Sequence, residues 1–98
     1  MMVRIDIGIE DGLLAYRVSE DGEDLYDDAG LGSVAECLVG AIEALPPRVV
    51  AVEVAYDGIV SGTYPLQVVA MNLEQVARHA VNTTEAIDEA WPERHDRD

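Results

Sequence analysis

The residues best suited to chemistry are concentrated in one short stretch. Glu20-Asp21-Gly22-Glu23-Asp24-Leu25-Tyr26-Asp27-Asp28 places six carboxylates in nine positions around a turn. Carboxylates at that density can serve three ends. They can offer hard oxygen ligands to calcium or magnesium, but the run lacks the EF-hand spacing, with its glycine sixth and glutamate twelfth. They can imitate a phosphate backbone for the Arg and Lys side chains of a nucleic-acid-handling protein, with Tyr26 as an aromatic anchor. They can also simply repel other chains from an exposed strand edge, which requires no function.

Other reactive groups are isolated. Cys37 lies in the apolar run from Val34 to Leu45, where a thiol behaves as a small buried hydrophobe, and a single cysteine excludes an intrachain disulfide. His79 falls beside the seam of a C-terminal helix and His95 in a charged tail, neither with a second ligand at helical spacing. The serines, Ser19, Ser33 and Ser61, each sit beside a turn or a cap. Ser61-Gly62-Thr63 could present backbone donors to an anion, but there is no Gly-Lys-Ser motif. No catalytic, metal or cofactor site is expected from these residues, and the chain reads as a non-enzyme.

One ordered set of carboxylates argues the other way. Asp6 on a first strand, Glu36 or Glu43 on a first helix and Asp57 at the end of an interior strand follow one another as in ribonuclease H-like folds, which the chain resembles at the level of fold. The resemblance implies carboxylates gathered around two metal ions that activate water and stabilise a leaving oxygen. The chain departs from that pattern in stopping before the family's last strand and helix and in having no basic substrate track. A plainer role for Asp6 is a cross-strand pair with Arg17.

Charge narrows the partners. Twenty Asp and Glu against six Arg and no Lys give a formal net charge of −14. The arginines, at positions 4, 17, 48, 78, 94 and 97, are scattered. Such a field repels nucleic acid and anionic membranes and attracts cations and basic proteins. The same composition would also suit a housekeeping domain from a salt-adapted or GC-rich organism. With no apolar run near the ~20 residues of a membrane span and no signal-peptide core at the N-terminus, a cytoplasmic location is expected.

The elements that must position these groups are legible from periodicity. Val3, Ile5, Ile7 and Ile9 alternate with Arg4, Asp6, Gly8 and Glu10, the pattern of a strand with one buried face. Asp11-Gly12 suits a type I′ hairpin, which sets Ile9 opposite Leu14, Ile7 opposite Tyr16, Ile5 opposite Val18 and Asp6 opposite Arg17. Asp21-Gly22 repeats the turn and predicts a short third strand over about 23–27, with Val18 opposite Leu25. Ser33-Val34-Ala35-Glu36 is a capping box, and Pro46-Pro47 stops the helix it opens. The β-branched run from Arg48 to Tyr56 reads as an interior strand ended by Asp57-Gly58.

From Pro65 as first helical residue, an apolar heptad-like pattern through Leu66, Val69, Leu73, Val76, Ala80, Thr83, Ile87 and Ala90 predicts one long helix, with Asn82-Thr83-Thr84-Glu85 as an alternative break. The expected fold is α+β: a small antiparallel or mixed sheet in ββ(β)αβα order with two helices on one face. Residues 1–91 form one domain, and 92–98 a charged tail. The long helix overhangs so small a sheet, which predicts a homodimer through Leu66, Val68, Val69, Met71, Leu73 and Val76. The functional expectation is a protein–protein interaction domain acting as an inhibitor or nucleic-acid mimic towards a basic partner. It shares size and charge with immunity proteins, antitoxins and anti-CRISPR inhibitors.

Overall fold

The computed structural model describes residues 1–97, with side chains as far as Arg94. The strands are β1 (Met2–Glu10), β2 (Leu13–Glu20), β3 (Glu23–Leu31), β4 (Ala51–Tyr56) and β5 (Ile59–Pro65). The helices are α1 (Val34–Glu43), α2 (Leu66–Met71) and α3 (Leu73–Ala90), followed by a 3-10 helix, Pro92–Arg97. The strands form one mixed sheet in the order β3-β2-β1-β4-β5, with β1 and β4 parallel and the other pairs antiparallel.

Three Asp-Gly turns build most of this sheet. Asp11, Asp21 and Asp57 have φ of 54, 51 and 51°, each followed by a glycine at 82 to 84°. Two successive positive φ values are what a type I′ hairpin requires, and Asp followed by Gly tolerates them at low cost. The expected β1–β2 register is found residue for residue, including Ile5 opposite Val18 and Asp6 opposite Arg17. The third strand is longer than expected and pairs Val18 with Tyr26, one residue away from Leu25, because a register shift follows at Ser19.

The third turn corrects the expected element order. Asp57-Gly58 does not end the sheet but folds the chain back into β5, which pairs with β4 from Tyr56↔Ile59 to Ala51↔Pro65. Pro65 therefore closes a strand and caps α2 from outside instead of opening a long helix. That helix also divides at Asn72, which has non-helical φ and ψ of −136 and 39°. The side-chain amide of Asn72 donates to the Val68 carbonyl, and its own carbonyl accepts the amide of Val76. The chain runs unbroken through Asn82, and Thr84, buried within α3, donates its hydroxyl to the Tyr56 carbonyl at 3.0 Å.

The core lies on one face of the sheet. Val3, Ile5, Ile7, Val18, Val52 and Val54 point into it from the strands, and Cys37, Leu38 and Ala41 of α1 and Val76 and Ala80 of α3 cover them. Each fully buried Val, Leu or Ile side chain contributes about 1.5–3 kcal/mol. The capping box forms as expected, Ser33 Oγ accepting the Glu36 amide at 3.1 Å, with the Glu36 carboxylate reaching back to Gly32. Gly40 lets α1 sit close to the sheet, since a Cβ there would lie 3.1 Å from the Tyr16 hydroxyl. Strand residues alternate in direction, so Arg4, Asp6, Arg17 and Glu53 project from the opposite, helix-free face.

Two expectations about the C-terminal half change with this packing. Val69 and Val76 are buried in the core, and Leu66 and Leu73 pack against it. The division at Asn72 turns the apolar seam onto the sheet, leaving Val68 and Met71 exposed from the expected dimer surface. The expected charged tail carries the 3-10 helix, and Arg94 within it reaches back to the body of the protein.

Candidate functional site

β3 is an edge strand, hydrogen-bonded among the described residues to β2 alone. Register shifts between Leu14 and Tyr16 and between Val18 and Ser19 bulge this pair. Strict alternation would place Asp24, Tyr26 and Asp28 on one face. The shift at Ser19 instead puts Asp24 on the open face with Asp27, opposite Ser19 and Arg17 respectively. Asp21, Glu23, Asp24, Asp27 and Asp28 are all exposed, and Glu20 is half-buried at the turn. Among the described residues, Asp24 alone of this run makes an ion pair, 3.5 Å from Arg17 Nε with both side chains more than half exposed. Pairs of that kind contribute at most about 1 kcal/mol, so the edge stays strongly negative.

Tyr26 departs from the role its sequence context suggests. Its hydroxyl donates to the carbonyl of Ala41 in α1, and its ring meets Tyr16 edge-on, with centroids 6.5 Å apart and planes at 86°. Burial pushes its hydroxyl pKa above the usual 10.0. Tyr26 ties the edge strand to the helix layer and is not an outward anchor. The reason is positional: opposite Val18, it must face the core side.

On the open face the acidic edge continues into a concavity of about 550 Å³ whose lining includes Asp6, Glu10, Arg17, Asp27, Asp28 and Asp57. Asp6 and Arg17 are register partners, but the ion pair expected between them is replaced. Arg4, two residues from Asp6 on the same face, holds it with an Nε–Oδ1 distance of 2.9 Å and extends Nη1 to Glu53 at 3.2 Å. The hydrogen bond that Arg4 donates to Asp6 is the main cause of the upward pKa shift of the Arg4 guanidinium. Arg17 meanwhile turns towards Asp24. The sequence placed Arg4 on this face, but not its preference for β4 over β2, because the parallel β1–β4 neighbour was unknown.

At the far end of the concavity, Asp57 is engaged by Arg94. The guanidinium donates to the Asp57 carbonyl oxygen at 2.7 Å and carboxylate at 3.1 Å, and its Nε donates to Asp88 at 2.7 Å. Arg94 thus joins the β4–β5 turn, α3 and the 3-10 helix. Assigned to a tail by composition, it carried no periodic signal that could have marked it. The side chain of His95 lies outside the described residues. His79 is exposed on α3, and Cys37 is buried, with burial raising its thiol pKa to about 11.

Of the carboxylates singled out by the ribonuclease H-like resemblance, Asp6 and Asp57 line the same concavity, but Glu36 and Glu43 do not join them. Asp6 faces the open side of the sheet, whereas α1, carrying Glu36 and Glu43, packs on the other side, and Glu36 is spent on its capping box. Among the described residues no group of three or more His, Cys, Asp or Glu side chains is placed to hold a metal ion. Among them, too, no helix is long and apolar enough to cross a membrane. Comparison of the chain with protein-family models, with curated proteins and with solved structures finds no match.

Proposed function

We propose that the protein works by protein–protein contact, presenting β3 and the adjoining open face to a basic partner that handles nucleic acid, in the manner of a phosphate-backbone mimic. The observation that carries this reading is the segregation of charge across the sheet. Glu20 to Asp28 holds six carboxylates at one edge, while Gly58 to Leu73, which forms the opposite edge and α2, contains no charged residue. Adaptation to salt has no reason to spare one edge, and a device against sheet-edge pairing would be needed equally at both. On one face of an extended strand side chains recur about every 6.6 Å, because successive residues point to opposite faces, and the shift at Ser19 brings Asp24 and Asp27 to the same open face. An array of carboxylates at that pitch suits the forked donors of arginine.

The test is affinity purification from the native host, followed by displacement of the recovered partner with nucleic acid. Changing Asp24, Asp27 and Asp28 together to Asn should shift stability by no more than about 0.5 kcal/mol per substitution, as exposed substitutions usually do, and should abolish recovery. Changing the exposed Glu74, Glu85 and Glu89 of α3 to Gln removes the same charge elsewhere and should cost much less. Equal losses from the two variants would reduce the effect to a diffuse field. Recovery of no basic partner at low salt would favour the housekeeping alternative.

A further inference from the structure

The edge opposite the acidic one is built very differently. In a chain with 27% charged residues, the sixteen from Gly58 to Leu73 include none. They form β5 and α2, and Val60, Val68 and Met71 on these elements are 43, 43 and 83% exposed. A groove of about 320 Å³ runs beside β5 between Tyr64 and Val68, Asn72, Gln75, Val76 and His79. Among the described residues β5 pairs with β4 alone, so alternate N–H and C=O groups along its outer side have no strand partner there. It has none of the charged protection that β3 carries.

We infer that β5 is the homodimer edge: a second copy of this chain adds its own β5 antiparallel across a twofold axis, joining two five-stranded sheets into one of ten. Such a contact is isologous, with the same surface used by both copies. The occupant follows from electrostatics. Two chains of charge −14 repel, so they can associate only where the contact keeps their carboxylates apart. Pairing through β5 leaves the two β3 strands nine strand spacings apart, about 43 Å at ~4.8 Å per spacing, which is several times the ~8 Å Debye length at physiological ionic strength. Pairing through β3 would set its carboxylates about 5 Å apart. A basic partner, conversely, gains nothing at an uncharged edge. The neutral groove beside β5 receives alternate side chains of the added strand, and the exposed Val68 and Met71 of α2 extend the apolar contact.

The dimer does not depend on the acidic-edge reading, and the two can fail separately. Light scattering coupled to size exclusion of the full chain should give twice 10.6 kDa at micromolar concentration, with the dimer strengthened by added salt as repulsion is screened. Hydrogen exchange should show protection of the amides from Val60 to Tyr64 that rises with protein concentration. Val60→Glu and Met71→Glu, both at exposed positions, should yield folded monomers by circular dichroism, whereas Val39→Glu on α1 should remain dimeric. The triple Asp24, Asp27 and Asp28 to Asn variant should also stay dimeric while losing its basic partner. A monomer at every concentration would overturn the proposal. So would a dimer whose β5 amides exchange at the monomer rate, or one indifferent to Val60→Glu.

Discussion

Single residues in this protein take their roles from the face of the sheet they occupy. Cys37 shows this most simply, since α1 buries it completely and thereby raises its thiol pKa from the ordinary 9.0 to about 11. Tyr16, Tyr26 and Tyr56 shift in the same direction, burial being the main cause. In each case the folded state holds its proton more tightly than the unfolded one, and for Cys37 the stabilisation is complete below about pH 9 and is lost as pH rises through about 11. Urea midpoints should therefore be level towards pH 9 and fall between pH 9 and 11, and Cys37→Ala should flatten the first part of that fall. At neutral pH the thiol should react with alkylating reagents only as fast as the protein unfolds.

The C-terminal 3-10 helix, of sequence Pro-Glu-Arg-His-Asp-Arg, has little apolar surface to offer the core, and Arg94 ties it to the body of the protein. Its guanidinium meets Asp57 and Asp88 with a side chain only 13% exposed, whereas Arg17 is 56% exposed in its pair with Asp24. Because Asp57 sits at the left-handed turn between β4 and β5, the clamp also holds that hairpin closed. Arg94→Ala should lower the urea midpoint clearly more than Arg17→Ala. The amides of Ile59 and Val60 should then exchange faster, while those of the β1–β2 hairpin remain unchanged. Equal effects of the two substitutions would mean that Arg94 is only a surface pair.

For the whole molecule, charge acts against compactness. The domain measures 40 by 26 by 23 Å and carries a net −14, so at about 0.01 M salt, where the Debye length is ~30 Å, nearly all its carboxylates feel one another. Sodium chloride should raise the midpoint of urea unfolding steeply up to about 0.15 M, where the length has shortened to ~8 Å, and more slowly beyond it. Sucrose, which does not screen charge, should not reproduce the steep early rise. A midpoint that falls with salt would assign the larger share to the Arg4, Arg17 and Arg94 ion pairs.

What the sequence by itself determined is whatever depends on near neighbours along the chain. Alternation in β1, the Asp-Gly turns and the Ser33–Glu36 capping box are read from adjacent residues, and with them came the β1–β2 register, the one buried face and the acidic edge. Tertiary structure decided the rest. Asp57-Gly58 could end a sheet or reverse a strand, and the available edge of β4 made it a hairpin. The apolar seam from Leu66 to Val76 could face a partner chain or its own sheet, and the division at Asn72 turned Val69 and Val76 inwards. Tyr26 was drawn to the carbonyl of Ala41, and Arg4 and Arg94 found Glu53 and Asp57 across distances that no local pattern encodes. Local backbone preference selects a conformation, but which of two apolar faces is buried, and which carboxylate an arginine meets, depends on surfaces that exist only once the strands have assembled.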